Sequence, residues 1–130
     1  MISESTTPSK LAVSMDGACV LALECWRLSR TADLAIDRDE GAALRQGVRR
    51  ITALLEEMEI KIVDLSGRVY DPGMVPEVVE AREDETLSDG HSVIDETIAP
   101  TVMWRSQVVR IGQIIVRRPP GTPSANSKEI

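Results

Sequence analysis

The sequence predicts an α+β protein in which a helical hairpin forms a dimeric four-helix bundle and is followed by a small antiparallel β domain. Two observations along the 130 residues support this. Residues 9–58 contain no proline and place apolar residues at alternating steps of three and four, the spacing of helices that pack in a bundle. Residues 59–118 hold short runs of β-branched residues punctuated by glycine and proline, which is typical of several short strands.

The two ends of the chain are polar. Residues 1–8 and 119–130 are expected to be disordered, because neither segment has enough apolar surface to bury. The start of the chain lacks the basic and apolar regions of a signal peptide, and there is no apolar run of about 18 residues that would span a membrane. With Cys19 and Cys25 as its only cysteines, the protein is expected in a reducing cytoplasm.

The first helical segment is apolar on more than one side. One seam is formed by Leu11, Met15, Ala18, Ala22 and Cys25. Further apolar residues, Val13, Val20, Leu21, Leu23 and Leu28, lie on other faces. Two helices of a single chain cannot cover a helix on several sides, so a symmetric dimer of two hairpins is expected.

The second helical segment has a single apolar seam. It consists of Gly41, Leu44, Val48, Ile51, Leu55 and Met58, with charged residues on the outside. The predicted dimerisation residues combine the two seams: Leu11, Met15, Ala18, Ala22, Leu44, Val48, Ile51 and Leu55. The break between the helices is expected within residues 31–41, with Asp33 or Asp39 as the N-cap of the second helix.

The second half of the chain divides into short strands separated by turns. Five or six short strands are predicted from the runs at residues 60–65, 68–70, 75–82, 91–99, 101–104, 108–111 and 113–118. Pro76 within the third run points to a sheet edge or a bulge, because proline has no backbone N–H to donate. This pattern predicts a small antiparallel sheet or half-open barrel, and an α+β molecule with two cores.

Composition and motifs argue against catalysis and against binding of metal or nucleic acid. The formal charge is −6 and the only aromatic residues are Trp26, Tyr70 and Trp104, so neither a phosphate backbone nor stacked bases are expected ligands. No nucleophile elbow, phosphate loop or metal-ligand spacing is present, and His91 is the single histidine. The acidic run of residues 77–85 is interpreted as a solvated connector, with a cation site or a paired-acid catalyst as the alternative. We therefore expect a protein that is not an enzyme and has no cofactor.

Four short motifs, taken in order, resemble the GrpE family, the nucleotide exchange factors of DnaK-type heat-shock chaperones. Leu44-Arg45-Gln46-Gly47-Val48 is similar to the family's Leu-x-x-Gly-Val, and Ser66-Gly67-Arg68-Val69-Tyr70-Asp71-Pro72 to its Gly followed by Phe/Tyr-Asp-Pro. Thr97-Ile98 before Val102 and the run Val109–Val116 resemble the two closing strand motifs. The resemblance covers residues 11–118, and it rests on the order of the motifs rather than on any one of them.

The resemblance implies a binding function. A GrpE-like protein binds the nucleotide-binding domain of its DnaK-type chaperone, stabilises the open cleft and so promotes release of ADP. Carried over to this sequence, the partner-binding residues are Tyr70, Asp71, Pro72, Met74, Glu77 and Arg110. The resemblance also implies a homodimer without a nucleotide site of its own.

Two departures from the family pattern keep an alternative open. Only about ten residues precede the bundle, which leaves no room for the family's long stalk helix, and Gly73-Met74-Val75-Pro76 stands where many members carry His-Glu-Ala-Val. The alternative is a dimeric adaptor or scaffold protein without exchange activity.

Overall fold

The computed structural model describes residues 8–34, 38–88 and 90–121, so most of both terminal segments lies outside the described part. The fold is α+β, as predicted. Its elements are α1 (Met15–Leu34), α2 (Arg38–Glu57), β1 (Ile60–Val63), β2 (Glu77–Glu83), β3 (Val93–Ala99), β4 (Thr101–Trp104), β5 (Gln107–Arg110) and β6 (Gln113–Arg118).

Helix α1 starts later than the apolar spacing predicts. The Ser14 hydroxyl accepts a hydrogen bond from the Gly17 backbone N–H (3.0 Å), which caps the first turn. Leu11 therefore precedes the helix and is 86% exposed. Two separate helices are present, as predicted, but Asp33 lies inside α1 and Asp39 inside α2, so neither is the N-cap. The residues between the helices lie outside the described ranges.

The strands form two three-stranded sheets rather than one antiparallel sheet. Sheet A has the order β1-β4-β5 and is antiparallel throughout. Sheet B has the order β2-β6-β3, in which β2 pairs parallel to β6 and β3 pairs antiparallel to it. The predicted strand at residues 68–70 makes a single isolated bridge, from Val69 to Val93. Strand β2 begins at Glu77, one residue after the proline that has no N–H to donate.

The two helices and sheet A share one apolar core. Its buried residues come from α1 (Ala18, Cys19, Ala22, Cys25), α2 (Val48, Leu55), β1 (Ile60) and β4 (Val102). Small residues on α1 allow the two helices to approach closely. Cys25 also lies 3.3 Å, sulfur to hydroxyl oxygen, from Thr52 of α2. We refer to the helices and sheet A together as unit A.

Sheet B has a second apolar core that contains no residue of the first. Ile94, Ile114 and Val116 are its buried members, and Leu65, Tyr70, Met74, Val78 and Ala81 pack against them. The segment before β2 packs with sheet B. The Gly67 N–H donates to the Ile94 carbonyl in β3, and the Tyr70 N–H donates to the Ser92 carbonyl just before β3 (both 2.8 Å). We refer to sheet B with residues 65–76 as unit B.

The chain passes between the units three times, and two of the passages touch. The β3–β4 junction at Pro100 packs against the β5–β6 junction at Gly112, whose backbone N–H donates to the Thr101 hydroxyl (3.0 Å). A Cβ added to Gly112 would lie 2.6 Å from the Ala99 carbonyl oxygen. Only glycine permits so close a passage.

Neither described helix is long and apolar enough to cross a membrane.

Candidate partner-binding site

The segment from Tyr70 to Met74 is a surface loop held at both ends by the core of unit B. Tyr70 and Met74 are half-buried against that core. Between them the Asp71 carboxylate accepts a hydrogen bond from the Gly73 N–H (2.9 Å), and the Asp71 carbonyl accepts one from the Met74 N–H (2.8 Å). Asp71 and Pro72 are exposed. The loop thus presents an acidic and apolar tip that is braced by two internal hydrogen bonds and anchored through Tyr70 and Met74.

Glu77 and Arg110 lie near the contact between the two passages. Glu77 opens β2, and its backbone N–H donates to the Gly112 carbonyl (2.9 Å). Arg110 closes β5, two residues before Gly112, on the opposite sheet. Both side chains are exposed. The structure therefore places five of the six predicted partner-binding residues on unit B and Arg110 on unit A.

The predicted dimerisation residues are largely used within the single chain. Ala18, Ala22, Val48 and Leu55 are buried in the core of unit A, Leu44 and Ile51 are half-buried, and Leu11 and Met15 are exposed. The apolar residues that remain exposed on α1 lie on its other side. Val20, Leu21 and Leu28 fall within a sector of about 100° at helical spacing, which is the kind of second apolar face that the sequence predicts.

Asp64, at the junction of the two units, was not singled out by the sequence. Its Oδ2 accepts a hydrogen bond from the indole N–H of Trp26 in α1 (2.8 Å). Its Oδ1 accepts hydrogen bonds from the backbone N–H and hydroxyl of Ser66 (3.0 and 2.7 Å) and from the hydroxyl of Thr97 in β3 (2.8 Å). One carboxylate thus has one oxygen directed at unit A and the other at unit B.

The hydrogen bonds change the acidity of Asp64. Partial burial alone would raise the pKa of this carboxyl, but the donors from Ser66, Trp26 and Thr97 together lower it below its ordinary value. The carboxylate is therefore the form that the fold binds. The local spacing Asp64-x-Ser66 predicts a turn. No local sequence pattern predicts that Trp26 and Thr97 also hydrogen-bond the Asp64 carboxylate.

Arg30 adds a second connection at the same place. Its guanidinium lies over the Trp26 ring, 4.7 Å from the ring centroid. From there it donates to the backbone carbonyl of Thr97 (3.0 Å) and lies 4.0 Å from the Glu96 carboxylate. Trp26 and Arg30 lie one helical turn apart on α1. Arg30 contacts Thr97 of β3 directly, and Trp26 contacts Asp64, which is hydrogen-bonded to Thr97.

Two of the five carboxylates in the acidic run of residues 77–85 are paired with arginine. Arg117 contacts both Asp84 and Asp95, and Arg82 contacts both Glu80 and Asp95. The Thr86 hydroxyl and N–H, with Arg117, lower the pKa of Asp84, and Arg82 lowers that of Glu80. In the described ranges, no three His, Cys, Asp or Glu side chains are arranged to hold a metal ion.

An open cleft of about 370 Å³ lies where β1 meets the β4–β5 hairpin. The two-residue hairpin turn, Arg105-Ser106, has positive φ at both residues, as a type I′ turn requires. Arg105 stacks on Trp104 and pairs with Glu59, itself at positive φ. These contacts hold the turn in place, and the Arg105 guanidinium is paired with a carboxylate of the same chain.

Comparison with models of known protein families and with curated proteins finds no significant match to this chain.

Proposed function

We propose that this chain is a GrpE-like co-chaperone that binds the nucleotide-binding domain of a DnaK-type chaperone and promotes ADP release. The observation that carries the proposal is the Tyr70–Met74 loop. It is a preorganised surface tip in the position that the motif order assigns to partner binding, directly after the hairpin and the first strand. A rigid loop loses little conformational entropy on binding, which favours its use as a contact.

The proposed mechanism is a shift of population. ADP fits the closed cleft of the chaperone better than the open one, so a protein that binds the open form more tightly lowers the affinity for ADP by the same factor. Asp71 and Pro72 would supply the loop contact, and Glu77 and Arg110 the charged contacts beside it. No group of this chain takes part in covalent chemistry, and we place the activity in the cytoplasm, where two buried free cysteines remain reduced.

A homodimer forms the second part of the proposal. The seam residues fill the core of unit A, so the dimer contact that we propose lies on the exposed apolar face of Val20, Leu21 and Leu28. The ion pair between Glu24 and Arg27 lies on the same face of α1 and satisfies its two charges there. Burying three such apolar side chains from each protomer would contribute several kcal/mol.

The proposal is tested by measuring release of a fluorescent ADP analogue from DnaK-type chaperones, as full-length proteins, with this protein at saturation. We expect faster release, and we expect Glu77→Ala and Arg110→Ala to reduce the effect. Glu57→Ala and Arg49→Ala, which remove charges that are also exposed, from α2, are the matched controls. Unchanged release together with absent binding, across the chaperones of the source genome, would contradict the proposal.

The adaptor alternative predicts a different result. It is favoured by the sequence Gly73-Met74-Val75-Pro76, which lacks the family's histidine after Asp-Pro. If the chaperone binds this protein and ADP release stays at its basal rate, with no effect of ADP on the binding affinity, the adaptor function is the correct one.

A further inference from the structure

Two apolar cores without a shared residue divide the molecule into units that pack separately. A cluster of packed apolar side chains resists separation strongly, because every exposed methylene costs free energy. A boundary that no such cluster crosses opens at lower cost. The contacts seen across the boundary between units A and B include the three chain passages and the polar contacts of Asp64 and Arg30.

The passages at Pro100 and Gly112 lie against each other and form a pivot. Gly112 leaves no space for a side chain between them, and the Thr101 hydroxyl accepts its N–H. Two adjacent chain segments restrict translation of one unit against the other. They leave rotation about their contact as the motion that stretches the fewest bonds.

Beside this pivot, where Val63 pairs with Thr101 and Asp64 follows it, the polar contacts of Asp64 also tie the units together. Oδ2 is bonded to Trp26 of unit A, and Oδ1 is bonded to Ser66 and Thr97 of unit B. Asp64 is partly exposed, so water competes for the same hydrogen bonds. Hydrogen bonds of this kind contribute only modestly to net stability, which makes them suited to break and re-form while both cores stay intact.

We propose that Asp64, Trp26, Ser66 and Thr97 form a latch, and that unit B turns as a rigid body about the Pro100–Gly112 pivot when the latch opens. Arg30 supports the closed position through its hydrogen bond to the Thr97 carbonyl. Opening changes the distance between Arg110 on unit A and the Tyr70–Met74 loop on unit B. The inference concerns the motion itself and holds whichever partner the surface binds.

The motion is measured by the distance between spin labels on the two units, in a background with Cys19→Ala and Cys25→Ala. Labels at Gln46→Cys in α2 and Glu83→Cys in β2 report on both units, since both positions are exposed. Labels at Gln46→Cys and Gln107→Cys lie within unit A and serve as the internal reference.

Asp64→Ala opens the latch and has a closely matched control. Asp84 accepts hydrogen bonds from the N–H and hydroxyl of Thr86, two residues ahead, just as Asp64 does from Ser66, but its contacts do not reach unit A. We expect Asp64→Ala to broaden the inter-unit distance distribution and to raise the open population about tenfold. We expect Asp84→Ala to leave that distribution unchanged, and the reference pair to stay narrow in both variants.

A second variant covers the case in which Asp64→Ala does not fold. Ser66→Ala with Thr97→Val removes the two hydroxyls on the unit B side and leaves the Asp64–Trp26 hydrogen bond in place. The latch predicts broadening here too. An inter-unit distribution as narrow as that of Asp84→Ala, in a latch variant that circular dichroism shows to be folded, would overturn the proposal, as would equal broadening of the reference pair.

Discussion

The Asp64 carboxylate connects units A and B through hydrogen bonds. Four hydrogen bonds reach it, from Trp26, Ser66 and Thr97. Asp64 and Ser66, the first and third residues after β1, create the turn, and this part is local. The bonds from Trp26 and Thr97 depend on the packing of α1 and β3, so no sequence window contains the information needed to predict them.

The stability that Asp64 contributes depends on pH. Its pKa is lower in the folded chain than in the unfolded chain, so its contribution is complete above the unfolded value of about 3.9 and is lost as the pH falls through the folded value. We expect Asp64→Asn to destabilise the protein near neutrality by about 1 kcal/mol or less, because the group is partly exposed.

The measurement is the free energy of unfolding of the two proteins in urea between pH 7 and pH 2.5. The difference between them should shrink below about pH 4. Ser66→Ala removes one of the donors that lower the pKa and should show a shallower dependence. A difference that stays constant over the whole range would contradict this account of Asp64.

Two glycines with opposite surroundings give a second prediction at the residue scale. Alanine at Gly112 would meet three backbone atoms within 2.8 Å, those of Ala99, Pro100 and Thr101, and backbone cannot move aside cheaply. We expect Gly112→Ala to cost about 1–3 kcal/mol. At Gly47, inside α2, a Cβ would meet nothing within 4 Å, and Gly47→Ala should stabilise by about 0.5–1 kcal/mol.

Thermal unfolding monitored by circular dichroism tests the pair. The melting temperature should fall for Gly112→Ala and rise for Gly47→Ala. A melting temperature that does not fall for Gly112→Ala would mean that the close passage at Gly112 does not limit the fold.

At the scale of the elements, helical periodicity predicts both helices and their break, and it fails at their ends. Leu11 continues the apolar spacing of α1, yet the Ser14 cap starts the helix at Met15. The Asp-Pro-Gly turn is predicted because its chemistry is local, since Asp71 accepts the Gly73 N–H. Parallel pairing of β2 with β6 is not predicted. The alternation of apolar and polar residues along a strand indicates which face of the sheet each residue occupies, but it does not indicate which strand is the neighbour.

Helix α2 offers two neighbouring leucines that differ sharply in burial, which tests the assignment of its buried face. Leu55 is 1% exposed in the core of unit A, whereas Leu54 is 52% exposed. We expect Leu55→Ala to destabilise by about 2–5 kcal/mol through lost burial and the cavity left behind. Leu54→Ala should change the stability by no more than about 0.5 kcal/mol.

Urea unfolding of the two variants at the same protein concentration gives the comparison. The urea midpoint should fall for Leu55→Ala and stay near that of the parent protein for Leu54→Ala. Equal losses would mean that α2 packs with a different face towards α1.

At the scale of the whole molecule, the two predicted cores exist but divide the chain in an unforeseen way. Sheet A packs with the helices, although β1, β4 and β5 look like the rest of the β half in sequence. Strand composition does not distinguish the two sheets. The division follows from which strands carry the residues that meet α1 and α2, such as Ile60 and Val102.

The apolar face left over on α1 is the basis of a prediction about assembly. Val20 is 54% exposed and lies with Leu21 and Leu28 on the side of α1 away from the core. In a two-fold dimer formed through this face, each protomer would bury the same residues against its partner. We expect the protein at micromolar concentration to have twice its chain mass of 14.2 kDa in light scattering.

Charge placed on this face should separate the protomers without unfolding them. We expect Val20→Asp with Leu28→Asp to give a mass of 14.2 kDa and an unchanged circular dichroism spectrum, because both side chains lie outside the core. Val79→Asp is the matched control, since Val79 is 48% exposed on β2 and belongs to unit B. It should leave the dimer intact. A monomeric parent protein would contradict the assembly itself, and a dimer that survives the double substitution would move the interface from α1 to another face of the molecule.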